Sequence, residues 1–579
     1  MDGKQQITIE KHHAKSEKID ELCDANDFDG IISICRELVS YTHSSALIRL
    51  HIYYNIGSGY SHVASRRDNQ FGSKTSGLAL LNFRKAMAEA SLIEQERFTG
   101  LYTQNEILAF DELKSRLQTN LANELDYQGR RLEALAAYEH PIKSGNVYAV
   151  MGRARCVYRL AESVYDGGHA FYLYRESARC YEEALARINE FAPIQRAAIQ
   201  SDPFFQHFLN WFQQEEQKIG SDYAELEDLP GTMFDTRKEK EYFAWCAEHR
   251  LFVNELNAIS TAEVVNHDIL SLPDFSARIN PLLTSSEELG FHGHFDELKT
   301  DYCYARYLAY MGSSIPLFDE HFFNSTFEHV DTLDYEINNL KTNHLKSCFR
   351  INYSIFDKIS FFLHRFYRID GTQNDHKVDF KTLWFKPGNQ HLKDMFENSD
   401  NEHFRALYFL SHEIRQGNRN TPEDEDLSYW FDPDTQRLFR IRNAMEHRSL
   451  KLVDNFCHRH VGHFSNDQDA IDNHVSDIDR IRSELQQLRK AKLKDPSSDL
   501  DNQILALEKR IVRLEQDLDE KNRMSNYALV IGVEEFEKLT LKLLTLAKDA
   551  LIYLSLAIHH EEMKKPQDGL VIPKLIPKK

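Results

Sequence analysis

The chain has 579 residues, enough for about three or four domains, and its 42% hydrophobic and 28% charged residues are those of a soluble globular protein. A formal net charge of −20 argues against a general nucleic-acid coat protein but not against a local basic site. No run of 18 or more apolar residues suggests a membrane span, the polar start Met1-Asp2-Gly3-Lys4-Gln5-Gln6 has no signal-peptide core, and the eight cysteines form no C-x-x-C pair; together these point to a cytoplasmic protein with reduced thiols.

Glycine and proline are scarce, 23 and 14 residues, and the periodic segments are rich in Leu, Ala, Glu, Lys and Arg. The fold class expected is all-α. Residues 1–195 show paired helices with TPR-like spacing. In the clearest pair, Leu121 and Ala122 lie on a first helix, Gly129 at the turn, and Ala134 and Tyr138 on a second. A further pair runs from Val147 to Leu160 and from Tyr174 to Leu185. Asp27-Phe28-Asp29-Gly30 before Ile31, and Leu81 to Met87, are degenerate members. Stacked helix pairs form a curved solenoid that usually binds another chain, so a protein partner or trigger is expected there. Residues 196–335 are read as a helical connector. They include Tyr242-Phe243-Ala244-Trp245-Cys246, a loop-like stretch ending at Leu272-Pro273-Asp274, and a helix from Phe295 to Tyr310.

From 336 to 565 the pattern is one of long amphipathic helices. Phe349, Tyr353, Phe356, Ile359 and Leu363 mark the first, ending near Gly371. Phe404 to Ile414 is the second. Asp432-Pro433-Asp434, with an N-cap acid and proline at the first helical position, starts a third that is expected to reach about Leu452. A fourth is expected from Tyr527 to His560. Four such helices make a bundle. Between the third and fourth, residues 470–525 carry heptads split at Asp495-Pro496-Ser497-Ser498, which predicts an antiparallel coiled-coil hairpin. Its mixed surface charge favours contact with protein.

The third helix carries the stretch that bears chemistry, Arg442-Asn443-Ala444-Met445-Glu446-His447. Arg-x4-His occurs once, and chance alone predicts on the order of one or two, so the setting has to decide. At about 100° per residue, Leu438, Ile441, Met445 and Leu452 fall on one face and Asn443 and His447 nearly opposite, joined by Phe439 and Leu450. Arg442 flanks them, with a side chain long enough to wrap toward the same place. Apolar residues beside polar ones predict an interface, and a twofold dimer would bring two Arg/His pairs into one cleft. Arg437, Arg440, Arg448 and Lys451 make this helix locally basic against Glu446, which suggests an RNA phosphate track.

Arg442-Asn-x-x-x-His447 on the third helix of such a bundle resembles the HEPN superfamily (higher eukaryotes and prokaryotes nucleotide-binding). Phe356-Asp357-Lys358-Ile359 and the preceding TPR-like region are similar to bacterial members. The resemblance implies a HEPN domain over 336–565. It implies a metal-independent endoribonuclease of the toxin or antiphage type, which leaves 2′,3′-cyclic phosphate and 5′-OH ends. Arg442, Asn443 and His447 would be catalytic, and the protein would act as a homodimer without cofactor or metal. The alternative is a non-catalytic helical adaptor that uses the bundle for dimerisation or RNA binding.

Other clusters carry less. Cys457-His458-Arg459-His460-Val461-Gly462-His463 matches no closed zinc site. His412-Glu413 reads as a satisfied pair, and His559-His560-Glu561-Glu562 as a solvated helix end. There is no Walker A loop, dinucleotide fingerprint or G-x-S-x-G elbow.

Overall fold

The computed structural model describes residues 5–219, 223–273, 285–319, 321–328, 335–369, 378–380, 382–386, 391–414, 433–454, 475, 477–478, 481–482, 485, 488–489, 498–524 and 528–564. The chain is mostly helical, with two very small sheets among the described residues. At the N-terminus, β1 (Gln5–Gln6) pairs in parallel with β2 (Tyr41–Thr42) around α1 (Ile9–Ala25) and α2 (Phe28–Val39). Asn26, in the left-handed region at φ 53, ends α1, and the Asp27 side chain caps α2 through the Gly30 N–H.

Antiparallel pairs follow: α3 (Ala46–Arg66) with α4 (Lys74–Glu96), α5 (Gln104–Tyr127) with α6 (Arg131–Lys143), and α7 (Val147–Ser163) with α8 (Gly167–Ala186). Small residues set their approach: a Cβ at Gly152 on α7 would lie 2.7 Å from the Tyr138 ring of α6. Tyr138 is fully buried there and donates to Asn123 Oδ1 at 2.6 Å. Gly129, in the α5–α6 turn, has φ +80 and also faces the Glu402 backbone carbonyl, leaving no space for a side chain. α9 (Pro193–Ser201) and α10 (Pro203–Ile219) then close an aromatic cluster of Tyr158, Tyr174, Tyr181, Phe204, Phe205 and Phe208.

After α11 (Arg237–Glu248) the chain leaves the helical pattern. Residues 251–273 contain only two short 3₁₀ turns, yet Leu251, Phe252, Val253, Leu256, Leu270 and Leu272 are buried. Asp268 anchors this irregular stretch: it accepts two hydrogen bonds from Arg306 at 2.7 and 2.8 Å and one from the Val253 N–H at 2.8 Å. Arg306 belongs to α12 (Ser285–Ser314), longer than the expected 295–310, whose stripe of Leu298, Tyr302, Ala305 and Leu308 is buried.

The C-terminal bundle combines α12 with α13 (Leu340–Phe366), α15 (Glu402–Ile414), α16 (Pro433–His447) and α18 (Val533–Met563), with the short α14 (Asp394–Glu397) beside α15. A reciprocal Asn339–Thr342 capping box starts α13, and its stripe from Phe349 to Leu363 is buried as the 3-and-4 spacing requires. It ends at Phe366; Gly371 and Asp432 lie outside the described residues. α18 is buried on nearly all sides from Leu543 to Ile558, which makes it the central helix.

Two helix boundaries differ from expectation. α16 stops at His447, and Ser449–Val453 is a strand, β3. Ala528–Gly532 is likewise a strand, β4, so α18 begins at Val533 rather than Tyr527. They pair in parallel, Ser449 opposite Ala528 and Val453 opposite Gly532. Leu450 and Leu452 are buried between exposed Ser449 and half-buried Lys451, a period of two that also fits a helical stripe when read only at Leu452.

Between the strands lies α17 (Ser498–Met524). Ile481 and Leu485 pack with Ile511, Ile504, Leu507 and Leu514. Arg482 pairs with Glu515 at 2.6 Å and Arg489 with Glu508 at 2.7 Å, an antiparallel order. Asp495-Pro496-Ser497 of the expected turn falls outside the described residues.

One hydrophobic core runs from Phe71 to Ile558 and joins the N-terminal helices to the bundle. Polar contacts cross the same joint. The Tyr553 hydroxyl accepts from the Leu132 N–H at 3.1 Å, Arg131 pairs with Glu402, and Glu413 takes both Arg84 (2.6 Å) and Arg130. The described cysteines are free thiols, and no helix among the described residues is long and apolar enough to cross a membrane.

Candidate active site

The last turns of α16 present Arg442, Asn443 and His447. Leu438, Ile441 and Ala444 are buried and Met445 packs against the core, so the opposite side of the helix must face outward. Asn443 is half-buried and His447, the final helical residue, is exposed. Asn443 and His447 are one turn apart, about 6 Å along the axis at 1.5 Å per residue. Arg442 leaves the helix flank and turns onto Asn443: its Nη1 donates to Asn443 Oδ1 at 3.2 Å. The guanidinium lies 5.7 Å from the centre of the Tyr353 ring, a cation–π contact. Tyr353 is fixed in turn, since its hydroxyl donates to the Ile414 carbonyl at 2.8 Å. A cation, an amide and an imidazole thus share one side of a helix end, with the cation held between a ring and the amide.

α13 supplies partners that the motif itself did not reveal. Arg350 donates to Glu446 Oε1 and to the Met445 carbonyl, both at 3.1 Å. It therefore offsets the carboxylate nearest the motif. Lys346 donates to the Leu450 carbonyl at 3.2 Å, where the chain turns from helix into strand. Burial, helped by Arg350 and opposed by Glu336, holds the Lys346 ammonium below the usual lysine range. Lys346 and Arg350 are spaced i, i+4 beside the apolar stripe of α13, which puts them on one flank of that helix but carries no signal that they reach the motif.

The expected phosphate track is not uniform. Arg448 is exposed. Arg440 and Lys451 are half-buried, Lys451 on β3 rather than on the helix. Arg437 pairs with Glu535 of α18. Phe439 is half-buried, but Leu450 is in the core. Leu450 is therefore withdrawn from the apolar surface expected beside Asn443 and His447: the helix has ended, and strand geometry turns the residue inward.

The other clusters resolve differently. Glu413 is fully buried, and Arg130 and Arg84 hold its carboxyl below the ordinary range against the effect of burial. His412 packs on the Tyr408 ring at 4.5 Å. The end of α18 is less solvated than expected: the His559 ring lies tilted against Tyr165 at 5.7 Å, and Asn401 donates to Glu561 at 2.9 Å. Asp400, His560 and Glu561 come close enough to hold a cation, but the Lys564 ammonium already pairs with Asp400 and Glu561. Cys457 to His463 lie outside the described residues.

A family model described as LA2681-like HEPN matches residues 282–493 and 477–561. The matched part begins just before α12 and ends within the last turn of α18, so it takes in the other bundle helices, the strand pair and nearly all of α18. No curated protein and no solved structure matches the chain.

Proposed function

Residues 282–561, the C-terminal half of the chain, are an LA2681-like HEPN domain, and from that premise we propose that the protein is a metal-independent endoribonuclease. The observation that carries this reading is the Arg442–Asn443 hydrogen bond beside the exposed His447 at the end of α16. In the proposed reaction His447 takes the proton from a ribose 2′-OH, and the 2′-oxygen attacks the adjacent phosphorus. The P–O5′ bond breaks, and the 5′-oxygen leaves with a proton. The products are a 2′,3′-cyclic phosphate and a 5′-OH. Arg442 binds the scissile phosphate and stabilises its growing charge, as a preorganised cation does best in a water-poor site. Asn443 orients that arginine, and Arg448 with Arg440 and Lys451 draws in the flanking phosphates.

One histidine per chain serves both proton transfers most simply in a homodimer, in which His447 of the partner subunit protonates the leaving oxygen. The paired N-terminal helices are read as a TPR-like surface for a protein partner or trigger, and the 470–525 insertion as a coiled-coil hairpin for protein contact. A toxin-like or antiphage role in the cytoplasm is our reading from the resemblance to the HEPN superfamily alone.

The test is cleavage of a mixed RNA pool in EDTA with end analysis. The parent protein is expected to leave cyclic phosphate ends. His447→Ala is expected to cleave about 10²–10⁴-fold more slowly, the usual worth of a general acid–base. Cleavage at the parent rate by either His447→Ala or Arg442→Ala would overturn the assignment.

A further inference from the structure

The bundle helix α15 is tied to the N-terminal helices at both ends. At its start Arg131 pairs with Glu402, and Arg405 donates to the Tyr127 carbonyl at 3.3 Å. Near its middle the Tyr408 ring lies 5.3 Å from that of Phe71. At its end Glu413 takes Arg84 of α4 at 2.6 Å and Arg130, the residue that precedes α6. Glu413 and Arg130 are both buried. Separating buried charges leaves each of them uncompensated, so such a pair holds one geometry far more strictly than an exposed pair does. Glu413 therefore keeps its place only while α4 and α6 keep theirs.

The next residue carries this placement to the motif. The Ile414 carbonyl accepts from the Tyr353 hydroxyl at 2.8 Å, and the buried Tyr353 ring faces the Arg442 guanidinium at 5.7 Å. A tyrosine has only two side-chain torsions, so bonding its hydroxyl leaves the ring little freedom. The Arg442–Asn443 bond lies within α16 itself, and it is Tyr353 that ties the guanidinium to another element. Packed side chains and hydrogen bonds that follow one another in this way can carry coupling between distant parts of a fold.

We propose that Glu413 is a positioning residue for Arg442, acting through Ile414 and Tyr353, so that the placement of α4 and α6 sets where the guanidinium stands. A partner that shifts the N-terminal helices then changes cleavage without touching Arg442, Asn443 or His447. The effect on cleavage rests on the ribonuclease reading, whereas the effect on Tyr353 does not.

The experiment places 3-fluorotyrosine at position 353 alone in the full chain and follows its ¹⁹F resonance without RNA, below the first unfolding transition. Arg442→Ala marks the shift that loss of the guanidinium produces. Arg84→Met, which leaves Arg130 on Glu413, and Glu413→Gln are each expected to move the resonance. Gly59→Ala crowds Cys35 Sγ at 2.8 Å in a separate core of the N-terminal helices, and is expected to leave it in place. With RNA in EDTA, Arg84→Met and Tyr353→Phe, which keeps the ring and removes the hydroxyl, are each expected to lower kcat at least about fivefold. KM is expected to stay within about twofold, because Arg440, Arg448 and Lys451 still hold the flanking phosphates. The double variant is expected to be no slower than Tyr353→Phe alone, since both changes interrupt one path. A resonance unmoved by both Arg84→Met and Glu413→Gln, or moved as far by Gly59→Ala, would overturn the coupling. So would kcat losses that multiply in the double variant. A parent protein that cleaves no RNA would remove the ribonuclease reading and leave the resonance to decide.

Discussion

Arg442 is held at two points, by Asn443 Oδ1 and by the face of Tyr353, and both depend on a planar guanidinium. Lysine has the charge but neither the fork nor the stacking plane. Arg442→Lys is therefore expected to lose at least about tenfold in RNA cleavage with little change in thermal midpoint; full activity would show that only the charge matters. Tyr353→Leu keeps bulk but removes the ring, and a smaller loss in the same assay is expected. Gly129 has a different kind of requirement. Gly129→Ala would combine a positive φ with contact at the Glu402 carbonyl, and should cost more than about 1 kcal/mol in urea unfolding. The Arg-Asn-x-x-x-His spacing was legible along the chain because its members share one helix. Tyr353 and Arg350 were not legible as site residues, because they reach it from a helix about ninety positions earlier, and only packing brings them there.

At the scale of elements, two N-terminal helices carry buried titratable groups with opposite pH behaviour. His12 on α1 is pushed down to about 4, by burial first and then by His51, His13 and His43. Between that value and the ordinary 6.5, the unfolded chain takes up a proton that the folded one refuses, so folding weakens as pH falls through this window. Glu124 on α5 is buried and raised to about 7, against the lowering effect of hydrogen bonds from Ser76 and Ser61. Between 4.5 and about 7 the folded chain keeps a proton that the unfolded chain has released, so this group weakens folding as pH rises. Glu124→Gln should flatten the second slope and leave the first, which urea midpoints between pH 5 and 8 would register. The strands show where reading by element met its limit. In Ser449–Val453 five residues are too few to separate a period of 2 from one of 3.6, and the pairing with Ala528–Gly532 is made across about eighty positions.

For the whole molecule, the joint between the N-terminal helices and the bundle matters most. It contains apolar core and a buried carboxylate shared by two arginines, Glu413 with Arg84 and Arg130. Removing one partner of such a network leaves uncompensated buried charge, typically costing about 3–5 kcal/mol. Glu413→Gln is expected to lower the thermal midpoint and to split one calorimetric transition into two, because the joint would open before either half melts. A single unshifted transition would show that the apolar contact alone couples them.

Local periodicity and composition determined the helical class, the stripes of α12 and α13, the helix pairs near the N-terminus and the Arg442-Asn443-His447 grouping, because each depends on residues a few positions apart. Tertiary structure alone decided that α16 ends at His447, that Leu450 turns into the core, that Arg442 rests on Tyr353, and that the N-terminal helices share one core with the bundle. Those outcomes depend on which distant surfaces bury together, and burial of apolar area is non-directional. The linear order of residues therefore shows which faces are available to pack, while contact in the folded chain selects their partners.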